Sequence, residues 1–260
     1  MSQPRVTIVT PTWNREAFLP AIHACVQRQN YENFEWLVHD DSELPSAELA
    51  HASWDKLRYI HSPERMTIGE KRNALLEQAT GEIIVNFDDD DYYGPDYVSN
   101  RVAALIESEK PLSISAGFFA YHLNTGHFGY YRPHHKKGIA FQFHRGGVEM
   151  VQLDKVNIPF IHLCYGWSYV FRRELWDRVR FADVSMFEDR AFVQKVMEFA
   201  PVHFYESRTV DAIHAIHNLS SSNCFPQFII PPFMMTANSP LPAQHIGWLA
   251  QIVQSLNQKG

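Results

Sequence analysis

Short apolar runs alternate with amphipathic segments along the first half of this chain, and that alternation leaves few folds open. The runs are RVTIVT (5–10), FEWLVH (34–39) and EIIVNF (82–87). Between the first two, residues 16–29 place Phe18, Ile22, Cys25 and Val26 at helical spacing. Leu57 to Ile60 makes a short third strand. TIGEKRNALLEQATG (67–81) reads as a helix with Thr67 as N-cap, Glu70 three residues on, and Gly81 just past the end. EIIVNF is nearly continuous in apolar character, as a parallel strand covered on both faces requires. Pro95 opens a further helix running to Ile106. The expected fold class is α/β, a Rossmann-like, doubly wound, mostly parallel sheet.

Such a sheet binds ligands beyond the carboxyl ends of its strands, near the point where strand order reverses. Two acidic clusters follow strands directly: Asp40-Asp41-Ser42, and the run Asp88 to Asp91 within FDDDDYY. They should meet at one edge of the sheet. Four adjacent carboxylates repel one another and resist losing water. A solvated loop is the ordinary home for such a run. Here it follows a buried strand and precedes Tyr92, Tyr93 and Pro95, which argues for a fixed turn. Carboxylate oxygens at near-adjacent positions suit Mg²⁺ or Mn²⁺, with water and phosphate oxygens completing the shell.

The net charge of −6 argues against a general nucleic-acid grip. Cys25, Cys164 and Cys224 lie far apart without metal-ligand spacing and read as reduced thiols of a cytosolic protein. The start has no long apolar core, so no signal peptide is expected, and no run of about 20 apolar residues suggests a membrane span. From Leu112 to Met150 the chain turns to Gly, His and aromatic residues, as strands or hairpins over the sheet edge would. Short helices are expected at RRELWDRV and EDRAFVQKVMEFA, and strands at VHFYES and VDAIHAIH. A boundary near 220–224 precedes a proline-broken apolar tail, 225–260. That tail suits docking to a partner, to a second copy or to the inner face of a membrane.

TPTWNRE after the first strand, HDDS after the second, GEKRNALLEQATGEIIVNFDDDDYYGPD and the later FED together resemble the family-two glycosyltransferases of the GT-A fold, in order and spacing from Val6 to Ser220. The resemblance implies a GT-A domain over 1–224. Its nucleotide-sugar half would be 1–110, and 111–224 a smaller, partly antiparallel acceptor-side half. It also implies inverting transfer from a nucleoside-diphosphate sugar, UDP-sugar favoured, to a saccharide or other hydroxyl acceptor, with Mn²⁺ or Mg²⁺. HDDS lacks the glycine the family often carries before the serine.

By that resemblance Pro11, Thr12 and Asn14 form the turn beside base and ribose, and Asp41 accepts a hydrogen bond from a ring N–H. Without it, Pro11 simply ends a strand and Asn14 caps a helix. Arg72 or Lys71 would lie near the diphosphate; the plainer alternative is an exposed basic face paired with Glu70 or Glu77. Arg65 is a weaker candidate. Asp89 would touch the ribose and Asp90 the metal, with Asp88 and Asp91 coordinating through water or supporting the loop. Asp189 is the expected general base and Glu188 its alternative. Of His214 and His217, His217 is preferred as a metal ligand because it borders the polar NLSSSN loop. Trp167 either stacks on a sugar or packs in the core. Two other readings are a non-catalytic nucleotide-sugar-binding module and a sugar nucleotidyltransferase. The second lacks its expected Gly-rich basic loop in TPTWNRE.

Overall fold

The computed structural model describes residues 3–122, 127–131, 139–144, 147–152, 165–207, 209–216 and 228–229. The strands are β1 (Val6–Thr12), β2 (Phe34–Asp40), β3 (Leu57–His61), β4 (Ile83–Asn86), β5 (Tyr92–Tyr93), β6 (Leu112–His122), β7 (His127–Tyr131), β8 (Ile139–His144), β9 (Gly147–Gln152), β10 (Val170–Arg172), β11 (Val202–Glu206), β12 (Ala212–Ile216) and β13 (Phe228–Ile229). The helices, numbered in chain order, are α1 (Leu19–Gln27), α2 (Ala47–Ala50), α3 (Ile68–Gln78), α4 (Tyr97–Glu107), α5 (Glu174–Arg178) and α6 (Glu188–Met197). The main sheet runs β3-β2-β1-β4-β10-β6-β12-β5, with β11 and β7 also paired to β6. The β3-β2-β1-β4 portion is parallel; β10 joins it antiparallel to both β4 and β6. Strand order reverses between β1 and β4, which is where a doubly wound sheet is expected to take its ligand. A separate sheet, β13-β8-β9, places Phe228 and Ile229 beside β8; the rest of 225–260 lies outside the described residues.

Successive residues of a strand face opposite sides, and in this sheet both sides are covered. Ile83 and Val85 join Ile22 and Val26 of α1 and Val98 and Val102 of α4. Ile84 joins Leu75 and Leu76 of α3, Trp176 of α5, and Phe192, Val193 and Val196 of α6. This is why EIIVNF reads as one apolar run rather than an alternation. Met197 and Phe199, at the end of α6, remain exposed.

Some local expectations need correction. Pro11 does not end β1: the strand continues to Thr12 in parallel register with β2, and proline costs it only one donor. Asn14 does not cap α1. Phe18 holds the cap position, and the backbone of Asn14 sits at φ 53° with its N–H donated to Ser42 Oγ at 2.7 Å. The capping box of α3 forms as expected, Thr67 with Glu70. Gly81 is not its cap. A Cβ at Gly81 would lie 2.4 Å from the Thr7 nitrogen, so glycine is there to let the chain pass against β1. No helix among the described residues is long and apolar enough to cross a membrane.

Gly69 fixes how α3 meets the chain entering α6. Its N–H bonds the Val184 carbonyl at 3.1 Å, and a Cβ there would fall 1.8 Å from the Ala182 oxygen. Gly69→Ala is therefore expected to lower unfolding stability by ~2 kcal/mol through overpacking, read as a lower urea midpoint; an unchanged midpoint would contradict so close an approach.

Candidate active site

The run after β4 is a fixed turn. Phe87 stacks on Tyr93 with ring centroids 3.7 Å apart. The Asp88 N–H donates to the Tyr93 hydroxyl at 2.8 Å. The Asp91 carboxylate accepts the Ala215 N–H at 2.9 Å and contacts His214 Nδ1 at 3.0 Å. Long-range pairing of β12 with β5 thus anchors the far end of the turn.

Asp89 and Asp91 point inward and are buried; Asp90 and Asp88 keep more of their side chains open, 19% and 34% exposed. Asp89 Oδ2 accepts the Thr12 hydroxyl at 2.6 Å, joining the end of β1 to the turn. Arg15 lies 3.9 Å from Asp89 and 3.4 Å from Asp90. Burial, with Asp90 and Asp88 adding to it, pushes the Asp89 carboxyl up to about 7 although Arg15 and Thr12 oppose. Burial likewise lifts Asp91 to about 6, against the pull of His214. For His214, burial favours the neutral ring, but the neighbouring Asp91 outweighs it and holds the imidazole above its ordinary value.

The second-strand cluster is wired to the same edge. Lys71 is buried and donates to the Thr12 carbonyl at 2.7 Å and to Asp41 Oδ1 at 2.6 Å. Asp41 Oδ2 accepts the Met66 N–H at 2.8 Å and is paired with Arg65, whose guanidinium lies 3.8 Å over the Trp13 ring. Burial pushes the pKa of Asp41 up, yet Lys71, Met66 and Arg65 together bring it below the ordinary carboxylate value. Burial lowers that of Lys71 despite the pairing. Asp40 orients the turn: it accepts the Ser42 N–H at 2.9 Å and the Tyr59 hydroxyl at 2.6 Å.

The third acidic group enters from α6. Phe187, at φ 65°, turns the chain so that Glu188 and Asp189 begin the helix, both buried. Asp189 Oδ2 accepts the Gly166 N–H at 3.0 Å, and Asn86 at the end of β4 donates to the Gly166 carbonyl at 2.9 Å. Burial and the adjacent Glu188 push the Asp189 carboxyl up to about 7, in the range suited to taking a proton at neutral pH.

The structure therefore brings Thr12, Asp41, Asp88, Asp89, Asp90, Glu188 and Asp189 to one edge. It removes Lys71 and Arg72 from the exposed basic face, because both are buried against carboxylates. Trp167 is 2% exposed, stacked on His214 at 5.5 Å and edge-on to Phe118 at 5.2 Å, which is core packing with no face left for a sugar. His217 lies outside the described residues; His214 is the histidine seen beside the acidic run. Sequence reasoning missed Arg15, whose signal was its place in TPTWNRE, and Gly166, which had none. Among the described residues no group of three or more His, Cys, Asp or Glu is arranged as a metal cage. Two partly open carboxylates two residues apart nevertheless fit Mg²⁺ or Mn²⁺, which take one or two carboxylates and fill the shell with water and phosphate.

The model of Glycosyl transferase family 2 matches residues 7–178. A glycosyltransferase, GlyA, of Streptococcus pneumoniae serotype 4 is 22% identical over 220 residues, 80% of this chain and 30% of that protein. The first curated relatives are matched over only 43%, 33% and 30% of their own lengths. The crystal structure of S. aureus TarS 1–349 in complex with UDP-GlcNAc superposes with TM-score 0.62 at 19% identity, covering 83% of this chain and 60% of that one. The mannosyltransferase PcManGT from Pyrobaculum calidifontis, in complex with GDP-Man and Mn²⁺, does so with TM-score 0.60 at 18% identity over 99% of this chain and 75% of that one. At these identities the likeness establishes the GT-A fold.

A buried carboxyl raised in the folded state binds its proton there when the unfolded chain has lost it, so it weakens folding as pH rises from the unfolded to the folded value. For Asp189 that window runs from the ordinary carboxylate range to about 7. Asp189→Asn cannot ionise. Its thermal midpoint relative to wild type should rise between about pH 4 and pH 7 and level off above that; a pH-independent difference would contradict the burial argument.

Proposed function

This chain belongs to glycosyl transferase family 2, and from that premise we propose that it transfers a sugar from a nucleoside-diphosphate sugar to a hydroxyl acceptor, with inversion and with a divalent metal. The observation that carries the reading is the convergence at one sheet edge of open carboxylates at Asp88 and Asp90 with a separate buried carboxyl, Asp189, poised near neutrality. The donor side comprises Pro11, Thr12 and Asn14 along base and ribose, with Asp89 toward the ribose. Asp41 receives the ring N–H once the half-exposed Arg65 yields its place. A UDP-sugar is favoured: TarS has been captured with UDP and UDP-GlcNAc, although PcManGT holds GDP-Man.

Asp90 would hold Mn²⁺ or Mg²⁺, with Asp88 beside it. When bound, such a cation supplies charge stabilisation to the departing diphosphate. Asp189 then accepts the acceptor hydroxyl's proton as that oxygen attacks the anomeric carbon from the face opposite the diphosphate. The Gly166 N–H keeps its carboxylate aimed, and Glu188 keeps its basicity up. The acceptor is a saccharide or another hydroxyl compound in polysaccharide or glycoconjugate assembly.

A thermal-shift screen of UDP-, GDP-, dTDP- and CMP-sugars, each with and without Mn²⁺, should give a metal-dependent shift with UDP-sugars; no shift with any nucleotide would sink the donor reading. In calorimetry, Asp90→Ala should weaken metal-dependent nucleotide binding by about 100-fold or more. Asp189→Asn should keep that affinity and lower turnover by between about 10² and 10⁴-fold. Equal loss of affinity in both variants would contradict the division of roles.

A further inference from the structure

Arg72 occupies the seam between the donor-side turn and the acceptor-side helix. Its side chain is 4% exposed, with Nη2 3.2 Å from Asp88 Oδ1 and Nε 3.4 Å from Glu188 Oε1. The guanidinium also lies over the Phe181 ring, 5.8 Å from its centroid. Nη1 is buried and makes no hydrogen bond among the described residues. Gly166 shows how tightly Asp189 belongs to the same cluster. A Cβ on Gly166 would fall 3.1 Å from Asp189 Oδ2 and 3.2 Å from Arg72 Nη2, so the two groups flank one point with no room for a side chain between them.

With Nε and Nη2 engaged by carboxylates and Nη1 buried away from the surface, the guanidinium is badly placed to clamp a phosphate. Moving it toward a ligand would leave Glu188 a buried charge without its partner, a large penalty, and would unpair the partly open Asp88 as well. Its planar fork, always charged, is suited instead to holding two carboxylates in a set relation. We propose that Arg72 is a positioning residue: by bridging Asp88 to Glu188 it sets where Asp189 stands relative to the donor turn, and it does not itself bind the diphosphate. This rests on the transferase reading above, with Asp189 as the base.

The bridge has an electrostatic consequence. The charged groups facing Asp189 are Glu188 on its own helix and Arg72 on α3, while Asp88 of the turn faces Glu188. Glu188 makes Asp189 harder to ionise and Arg72 makes it easier. Drawing the cation back from Asp189, as the shorter lysine would, should therefore move the acid limb of the rate profile to higher pH. Neutralising Glu188 should move it to lower pH.

The test compares wild type, Arg72→Lys and Glu188→Gln in two assays: UDP binding by calorimetry with Mn²⁺, and UDP release from UDP-N-acetylglucosamine between about pH 5 and pH 9. Arg72→Lys keeps a charge but not the fork. It should cut turnover by about tenfold or more while UDP affinity stays within about threefold of wild type, with the acid limb displaced upward. Glu188→Gln, which carries no altered buried cation, should displace it downward. Loss of UDP affinity in Arg72→Lys as severe as its loss of turnover would overturn the proposal, and so would an acid limb unmoved in both variants. A wild-type protein that neither binds nor releases UDP would overturn the UDP-transfer reading itself and the proposal with it.

Discussion

The carboxyl edge of this sheet carries more negative charge than an unbraced edge would tolerate, and it stands because cations are built into its underside. Lys71 lies beneath Asp41, Arg15 beside Asp89 and Asp90, and Arg72 between Asp88 and Glu188, while His214, whose hold on a proton is strengthened by Asp91, lies against that carboxylate. These pairs are largely desolvated, where Coulomb attraction is strong but charge burial is costly. The balance is incomplete. Asp89, Asp91 and Asp189 all remain harder to ionise than a free carboxylic acid. The open side of such a site is suited to an added cation and the buried side to a proton acceptor, the two groups that the proposed transfer requires.

The fold makes the arrangement through backbone proximity. Strand order reverses between β1 and β4, so Thr12 at the end of one reaches Asp89 just beyond the end of the other. α3 then lies across the back of the sheet, where Gly69 lets it touch the 182–184 segment and Gly81 lets the return strand pass β1. Lys71 and Arg72 are adjacent on that helix. One reaches the second-strand cluster and the other the seam with α6, so a single helix braces both sides of the site.

Much of this was legible beforehand, for physical reasons. The parallel core announced itself through runs buried on both faces, and the α3 start through the Thr67–Glu70 box. The meeting of the two aspartate clusters followed from strand polarity alone. What stayed hidden depends on partners far apart in sequence. Lys71 and Arg72 look like a solvated basic patch until the facing carboxylates are known. Trp167 could equally have been a platform until β12 brought His214 against it. Gly81 sits where a helix cap belongs, yet its glycine answers to Thr7. Gly166 matters only because Asp189 and Arg72 converge on it, and no local pattern encodes that.

On the proposed function, protons linger on this edge until a cation and a nucleotide replace them. Carboxyl-carbon NMR of the protein, titrated free and again with Mg²⁺ and UDP, reads this directly. Asp89 is predicted to titrate near its raised value of about 7 in the free protein and to move toward the ordinary carboxylate range when the site is filled. Site carboxyls that titrate in the ordinary range in both samples would contradict the claim.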